Sequence, residues 1–151
     1  MNVMEMNDMK TDITAAERER LIEAAFESMK NSYAPYSHFN VGAAVLAQSG
    51  KIYTGTNVEN ASYPAGICAE RSAVSCAVSC GEKRIAAVAV VGGKDFKASS
   101  FCAPCGICRQ VLREFCEPQE LLVILDDGNG MRKEMTLAQL LPESFGPDSL
   151  V

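Results

Sequence analysis

Three cysteines and one glutamate are the residues of this sequence whose types and spacing best suit metal chemistry. Cys105 and Cys108 stand three residues apart, and at the start of a helix this spacing puts both thiols on one face. The amide groups and dipole of a helix start favour the thiolate, which is the form that binds metal. Cys68-Ala69-Glu70 also begins a helical segment and adds a third thiol and a carboxylate. Zinc held by three protein ligands keeps its fourth position for water, and Glu70 could then accept and return protons.

Two other uses of these cysteines stay open on the sequence alone. A C-x-x-C pair such as Cys105 and Cys108 is also typical of a thioredoxin-like redox protein. Cys102 lies three residues before Cys105, so it could complete a closed four-cysteine zinc site whose only role is to fix the fold. A closed site would leave Glu70 without a task, which favours the open, catalytic arrangement.

Composition narrows the possible partners. The chain has 151 residues, a net charge of −5 and a pI near 4.9, the opposite of the basic surface that nucleic acid attracts. It has neither the basic start of a secretory signal nor an apolar stretch that could span a bilayer. We therefore expect a soluble, cytoplasmic protein with reduced thiols and no nucleic-acid or membrane partner. The remaining cysteines, Cys76, Cys80 and Cys116, lie in apolar helical segments and are predicted to be buried.

Helices and strands alternate along the chain in an order that predicts its fold class. Thr14 and Glu17 have capping-box spacing and begin a helix over about 14–31. Strands are predicted at 41–46, 52–56, 85–91, 121–125 and 131–135, and further helices at 68–80, from 104 to about 117, and at 136–141. The order predicts an α/β fold, a three-layer α/β/α arrangement around a five-stranded mixed sheet. The first two strands would form an antiparallel hairpin, and the last two would also be antiparallel. Residues 14–151 should form one domain, and residues 1–13 a flexible N-terminal extension.

Four motifs together resemble the small, homotetrameric, zinc-dependent cytidine deaminases. The likeness covers nearly the whole chain, from about Tyr33 to Phe145, and Cys68 stands where other zinc deaminases have histidine. The motifs are Tyr33-Ala34-Pro35-Tyr36-Ser37-His38-Phe39, Asn57-Val58-Glu59-Asn60, Cys68-Ala69-Glu70-Arg71 and Pro104-Cys105-Gly106-Ile107-Cys108-Arg109-Gln110.

The resemblance implies a reaction and a cofactor. One zinc ion per chain would be held by Cys68, Cys105 and Cys108, and zinc-activated water would attack the carbon that bears the amine. Glu70 would be the proton shuttle. The implied reaction converts cytidine and deoxycytidine to uridine and deoxyuridine with release of ammonia, as part of pyrimidine salvage.

The resemblance also implies a set of substrate-binding residues. Asn57 and Glu59 would hold a ribose hydroxyl, and Phe39 and Ala69 would contact the nucleoside. In a homotetramer with active sites at subunit interfaces, three further residues would approach the ligand of a neighbouring subunit: Ala61 and Tyr63 at the sugar end, and Phe145 against the base.

Three thiolates make a metal site of net negative charge, which weakens the metal as a Lewis acid. Arg71 and Arg109 directly follow ligand cysteines and are candidates to donate hydrogen bonds to sulfur and withdraw charge. Ordinary interface ion pairs are the alternative for both arginines. His38, the single histidine, is expected in a turn or at the surface, because the metal and Glu70 leave it no chemical task.

Other functions remain as alternatives. A deaminase of a related nucleoside, such as a nucleoside antibiotic, would carry the same motifs. A nucleotide or an RNA base is disfavoured, because Glu59 would repel phosphate. A thiol redox protein and a non-enzymatic structural-zinc domain are the alternatives from other classes.

Overall fold

Helix α1, Ala15–Met29, begins at a reciprocal cap. The Thr14 hydroxyl accepts from the Glu17 amide at 3.1 Å, and the Glu17 carboxylate accepts from the Thr14 amide at 2.9 Å. This is the predicted capping box, and it satisfies two amides that a helix start would otherwise leave unpaired. The structure is a computed structural model that describes residues 12–151.

Only the last two residues of the predicted N-terminal extension are described by the structure. Residues 1–11 of the predicted extension lie outside the described residues. Ile13, the last residue assigned to that extension, is only 7% exposed and packs in the core beneath α1. The packed part of the chain thus includes at least one residue before the predicted domain start.

The five predicted strands are confirmed and form one mixed sheet with the order β2-β1-β3-β4-β5. β1 pairs antiparallel with β2 and β3, β3 pairs parallel with β4, and β4 pairs antiparallel with β5. Both predicted antiparallel hairpins are therefore present. The strands are β1 Phe39–Ala47, β2 Ile52–Thr56, β3 Ile85–Lys94, β4 Leu122–Asp126 and β5 Arg132–Thr136.

Helices cover both faces of the sheet, which confirms the three-layer α/β/α arrangement. α2 is Ala69–Ser79, α3 is Gly106–Glu114 and α4 is Leu137–Leu140. Alternate residues of β1 point to opposite faces: Val45 packs in the core under α2 and α3, whereas Ala44 packs under α1. No helix within residues 12–151 has the length and apolar character needed to cross a membrane.

Close contact between α2 and the sheet depends on Gly55 in β2. A Cβ at Gly55 would stand 2.3 Å from the Ala73 amide nitrogen and 2.6 Å from the Ala69 carbonyl oxygen. These distances are too short for any side chain, so this position requires glycine. The small residues Ala69, Ala73 and Ala77 form the buried face of α2. The first turn of α2, which carries Glu70, is thereby held directly against the sheet.

The prediction for the cysteines outside the metal motif is confirmed for Cys116 and wrong for Cys76 and Cys80. Cys116 is 3% exposed, whereas Cys76 and Cys80 are exposed. The two exposed cysteines are four residues apart, so they share one side of α2. Because Ala73 and Ala77 take the side that faces the sheet, the cysteines are left on the outer side.

Candidate active site

Two helix starts bring three thiols together. Cys68 is the N-cap of α2, Cys105 is the N-cap of α3, and Cys108 lies in the first turn of α3. The three Sγ atoms lie within 4.8 Å of one another, and those of Cys68 and Cys105 are 3.8 Å apart. Tetrahedral zinc with bonds of about 2.3 Å separates its sulfur ligands by about 3.8 Å. The donor set and its spacing therefore fit a zinc ion.

Cys102 is not part of this cluster. Among residues 12–151, the sulfurs that lie within bridging distance of one another belong to Cys68, Cys105 and Cys108. The Cys102 thiol instead lies beside Gly92 of β3, where a Cβ would approach its Sγ to 2.9 Å. Burial raises the pKa of Cys102 to about 11, so it stays a neutral thiol. A zinc ion held by the three thiols of the cluster would keep one tetrahedral position open.

The thiols differ in how easily they ionise. Burial raises the pKa values of Cys68 and Cys108. For Cys105 burial also raises the pKa, but hydrogen bonds from the backbone amide and thiol of Cys108, the thiol of Cys68 and the backbone amide of Ile107 together outweigh it, and the pKa of Cys105 is lowered. The start of α3 thus stabilises a thiolate at Cys105, as expected for a helix N-terminus.

Glu70 lies beside the thiol cluster in a desolvated position. Its side chain is 4% exposed, and its Oε2 is 3.7 Å from the Sγ of Cys108. Burial raises the pKa of Glu70, because the charged carboxylate loses its hydration. A carboxyl group tuned in this way can both take up and release a proton, as an acid-base catalyst must.

A pocket of about 560 Å³ leads to the cluster. Its volume is in the range of sites that bind small organic molecules. Cys68 and Arg71 line one part of it, and the lining continues to polar and aromatic residues on the loops around β2: Tyr36, Ser37, Asn57, Val58, Glu59, Asn60, Tyr63, Gly66 and Ile67.

Glu59 is held in the pocket wall by the turn that precedes β1. Its Oε1 accepts from the backbone amides of Tyr36 and Ser37 at 2.9 and 3.1 Å, and its Oε2 accepts from the Ser37 hydroxyl at 2.5 Å. The Ser37 hydrogen bond is the largest of the effects that lower the pKa of Glu59. The carboxylate is therefore fixed in position and stays ionised. Tyr36 and Ser37 are assigned no role of their own from the sequence, and their place in the first of the four family motifs is the signal for one.

Asn57 also lines the pocket, and its side chain is anchored to β1. The amide Nδ2 donates to the Phe39 carbonyl at 2.8 Å, and Oδ1 accepts from the Val41 amide at 2.9 Å. Phe39 itself is half-buried against the core under α2 and α3, and Ala69 is fully buried at the start of α2.

The residues expected to act across subunits lie on the surface of the single chain. Tyr63 is 76% exposed and Phe145 is 60% exposed, and Ala61 is exposed as well. Tyr63 lines the pocket and packs edge-on against Tyr36, with ring centroids 6.1 Å apart. Ala61 and Phe145 lie outside the pocket lining. His38 is exposed in a left-handed turn, as expected for a surface residue.

The two arginines that follow ligand cysteines make different contacts. The Arg71 guanidinium lies 4.0 Å from the Sγ of Cys68, and its Nε is buried without a hydrogen-bond partner among the described residues. Arg109 instead donates to the backbone carbonyls of Pro104 and Leu140, both at 2.7 Å. Arg71 can therefore act on a ligand sulfur, whereas Arg109 ties the start of α3 to the end of α4.

The family model, the curated relatives and the solved structures that this chain resembles all point to cytidine deaminases. Residues 15–124 match the model of a family described as the cytidine and deoxycytidylate deaminase zinc-binding region. A cytidine deaminase of Halalkalibacterium halodurans is 41% identical over 134 residues, which cover 89% of this chain and 98% of that protein. A probable cytidine deaminase of Dictyostelium discoideum is 42% identical, over 89% and 88% of the two chains. The crystal structure of cytidine deaminase from Burkholderia pseudomallei has a TM-score of 0.77 and 42% identity, over 88% of this chain and all of that one.

Proposed function

This chain belongs to the zinc-binding cytidine and deoxycytidylate deaminase family, and we propose that it hydrolyses cytidine and deoxycytidine to uridine and deoxyuridine. The observation that carries the proposal is the contact between Glu70 and Cys108, in the same thiol cluster as Cys68, which lines a pocket that also holds Glu59. A metal-binding thiol cluster, a proton carrier and a polar ligand pocket are the three parts that this reaction needs.

Cys68, Cys105 and Cys108 would hold the zinc ion. When bound, zinc supplies Lewis acidity, which brings the pKa of a coordinated water towards neutrality. Its three thiolate ligands are acceptable to zinc because they are soft donors in a tetrahedral set.

Glu70 carries the protons in the proposed mechanism. Its carboxylate accepts a proton from the attacking water and passes it to the ring nitrogen of the pyrimidine. It then takes the second proton of that water and delivers it to the amine, which leaves as ammonia. One water is consumed, the carbon–nitrogen bond breaks, and the ring carbon becomes a carbonyl. Burial of Glu70 supports this role, because a raised pKa reduces the cost of each protonation.

The charge of the pocket favours a nucleoside over a nucleotide. Glu59 is ionised and fixed in the pocket wall, so it would accept a hydrogen bond from a hydroxyl group and repel a phosphate. Asn57 beside it offers an amide for the same hydroxyl. Phe39 and Ala69 would contact the nucleoside from the side of the core.

The exposed residues Ala61, Tyr63 and Phe145 support a homotetramer in which each active site receives residues from a neighbouring subunit. The large aromatic rings of Tyr63 and Phe145 are exposed to water in the single chain. Their removal from water in a subunit contact would be favourable, because it buries apolar surface. Pyrimidine salvage in the reducing cytoplasm fits a site made of free thiols. Light scattering on the purified protein tests the oligomeric state, and a monomer that turns over cytidine at the full rate would refute it.

A direct assay tests the reaction. Cytidine, deoxycytidine and cytidine monophosphate are incubated side by side with the zinc-loaded protein, and the loss of ultraviolet absorbance is followed. We expect turnover of both nucleosides and little or none of the nucleotide, with one zinc per chain by metal analysis. A metal-free protein with a reversible disulfide between Cys105 and Cys108 would instead support a redox function.

A further inference from the structure

Backbone groups fix the amide of Asn57 in one orientation. A backbone amide can only donate and a backbone carbonyl can only accept. Because Val41 N–H donates to Oδ1 and the Phe39 carbonyl accepts from Nδ2, the oxygen and nitrogen of the side chain cannot be exchanged. One hydrogen of Nδ2 is left over after these contacts.

A second contact to Asn57 comes from Ser32, which is 8% exposed. The Ser32 hydroxyl donates to Oδ1 of Asn57, and its own oxygen accepts from Nδ2 of Asn40 at 3.1 Å. Asn40 is 3% exposed. Its Oδ1 accepts from the backbone amide of Phe96 at 3.1 Å, so the orientation of this second side-chain amide is fixed as well.

The hydrogen bonds form a chain with a single direction, from Phe96 N–H through Asn40 and Ser32 to Asn57. The starting amide is presented by a turn in which Asp95 and Phe96 have φ values of 51° and 61°. Non-glycine residues rarely adopt this left-handed conformation. The direction of the chain obliges the Ser32 hydroxyl to point its hydrogen at Asn57. Successive hydrogen bonds of this kind polarise one another.

The end of the chain lies in the ligand pocket next to Glu59. Asn57 and Glu59 both line that pocket, whereas Ser32 and Asn40 do not. The leftover Nδ2 hydrogen of Asn57 is a donor, and the ionised carboxylate of Glu59 is an acceptor. A hydroxyl group is the ligand that both accepts one hydrogen bond and donates another, so the pair is complementary to a hydroxyl.

We propose that Ser32 and Asn40 are positioning residues that act through Asn57 to make this protein selective for nucleosides with sugar hydroxyls. The inference rests on the proposed function, since it takes a cytidine-type nucleoside as the ligand. It adds two buried residues that never touch the substrate. Without the Ser32 hydroxyl, Oδ1 of Asn57 loses a donor in a partly buried place, and the amide is less firmly held.

The test compares two substrates in one variant. Ser32→Ala is assayed with cytidine and with 2′,3′-dideoxycytidine, which lacks both ring hydroxyls of the sugar. With cytidine, kcat/KM should fall by about 5- to 50-fold, as expected for the loss of a buried hydrogen-bond partner, and KM should carry most of the change. With the dideoxy substrate the loss should stay below about twofold, because its binding uses no hydroxyl contact.

Asn40→Asp is the second variant. It keeps the shape of the side chain but replaces the donor NH₂ by an acceptor oxygen, so the Ser32 hydroxyl would turn its hydrogen towards position 40 and away from Asn57. We expect at least the cytidine-specific loss seen for Ser32→Ala. Ser28→Ala is the matched control, because the Ser28 hydroxyl donates to the carbonyls of Ala25 and Gly55 and takes no part in the chain. It should leave the ratio of the two substrates unchanged.

Equal losses with cytidine and dideoxycytidine in Ser32→Ala would assign Ser32 a purely structural role and overturn the inference. An unchanged kcat/KM for cytidine in both variants would overturn it too. If the unmodified, zinc-loaded protein turned over neither substrate, the proposed function would fall and this inference with it. The three results are distinguishable within a single set of assays.

Discussion

The Sγ of Cys108 lies 3.7 Å from Oε2 of Glu70, so the first turns of α3 and α2 meet through a thiol and a carboxyl group. Both side chains are almost completely buried. The proposed metal ligand and the proposed proton carrier are thus adjacent although they are 38 positions apart in the sequence. A group that moves protons to and from a reacting centre must be within hydrogen-bond reach of it, and the contact with Cys108 places Glu70 beside the thiol cluster where a metal ion could be held.

Glu70→Gln should reduce the rate of cytidine deamination while the zinc stays bound. Glutamine has almost the same shape but cannot accept and release a proton, so kcat should fall by roughly two to four powers of ten. Steady-state kinetics and metal analysis on the same preparation check both statements. Glu82→Gln is a control, because Glu82 binds Ser49 and Tyr53 outside the pocket. Turnover of Glu70→Gln close to that of this control would rule out the proton shuttle.

Zinc binding should depend on Cys105 and not on Cys102. Cys105→Ser removes one of three thiolates, so zinc affinity should fall by more than the roughly 10- to 100-fold loss seen when outer residues of metal sites are changed. Cys102→Ser is the matched control, since its thiol lies beside Gly92 and outside the cluster. Competition with a chelator measures both affinities. A large loss for Cys102→Ser would mean that the site closes over a fourth sulfur.

The sequence could predict features that depend on short-range spacing. Cys105 and Cys108 share a helical turn, and Thr14 and Glu17 form a cap, because each pair is set by the geometry of one helix. The strands could be predicted because buried runs and turn residues alternate regularly. The partnership of Cys68 with Cys105 and Cys108 could be proposed because each of two predicted helices begins with a thiol, and the resemblance to a family supported it, although no local spacing fixes the distance between the two helix starts.

Features that depend on contacts between distant segments could not be predicted. Cys76 and Cys80 are flanked in the sequence by apolar residues, as a buried cysteine would be. Their exposure follows from which side of α2 faces β2, and the sequence does not show that. Arg109 directly follows a ligand cysteine, yet its donors reach the Leu140 carbonyl, 31 residues away. The hydrogen bond from the Ser37 hydroxyl to Glu59 likewise joins two loops, and the sequence does not show that these loops lie close together.

Arg71→Gln should weaken zinc binding by roughly 10- to 100-fold, because Arg71 is the arginine whose guanidinium lies by a ligand sulfur. Loss of its charge leaves more electron density on Cys68, so kcat should fall as well. Arg109→Gln should affect thermal stability instead, since its partners are backbone carbonyls. Chelator competition and thermal unfolding separate the two effects. Equal zinc affinities in both variants would argue against an electronic role for Arg71.

Ser37→Ala should raise the pKa of Glu59. In the folded protein that pKa lies below its usual value of 4.5, chiefly because of the Ser37 hydrogen bond. Because the pKa of Glu59 is lower in the folded than in the unfolded protein, its ionised carboxylate stabilises the fold. This stabilisation is complete at a pH above the pKa of the unfolded state, and it is lost as the pH falls through the pKa of the folded state. Removing the hydroxyl should therefore move the protonation of Glu59 to higher pH. Carbon-13 NMR of the carboxyl group measures the shift directly, and an unchanged titration would contradict the assigned cause.

Gly146→Ala should dislodge the segment that carries Phe145, because a Cβ at this position would stand 2.4 Å from Cζ of Arg113. Arg113 is 6% exposed and fixes the segment through the Ser144 hydroxyl at 3.0 Å and an ion pair with Asp148. The backbone of Gly146, with φ of −154°, would itself accept alanine, so any cost must come from the collision. Overpacking of this kind typically destabilises a protein by about 1–3 kcal/mol.

Phe145→Ala tests separately whether the ring serves catalysis: if it stacks on the base, KM for cytidine should rise in both Gly146→Ala and Phe145→Ala. The collision itself is tested by a double-mutant cycle with Arg113→Ala. Once the guanidinium is gone, Gly146→Ala should cost little, and the two changes should couple by about 0.5–3 kcal/mol in thermal or denaturant unfolding. Strictly additive losses would mean that the segment is held by contacts other than the guanidinium of Arg113.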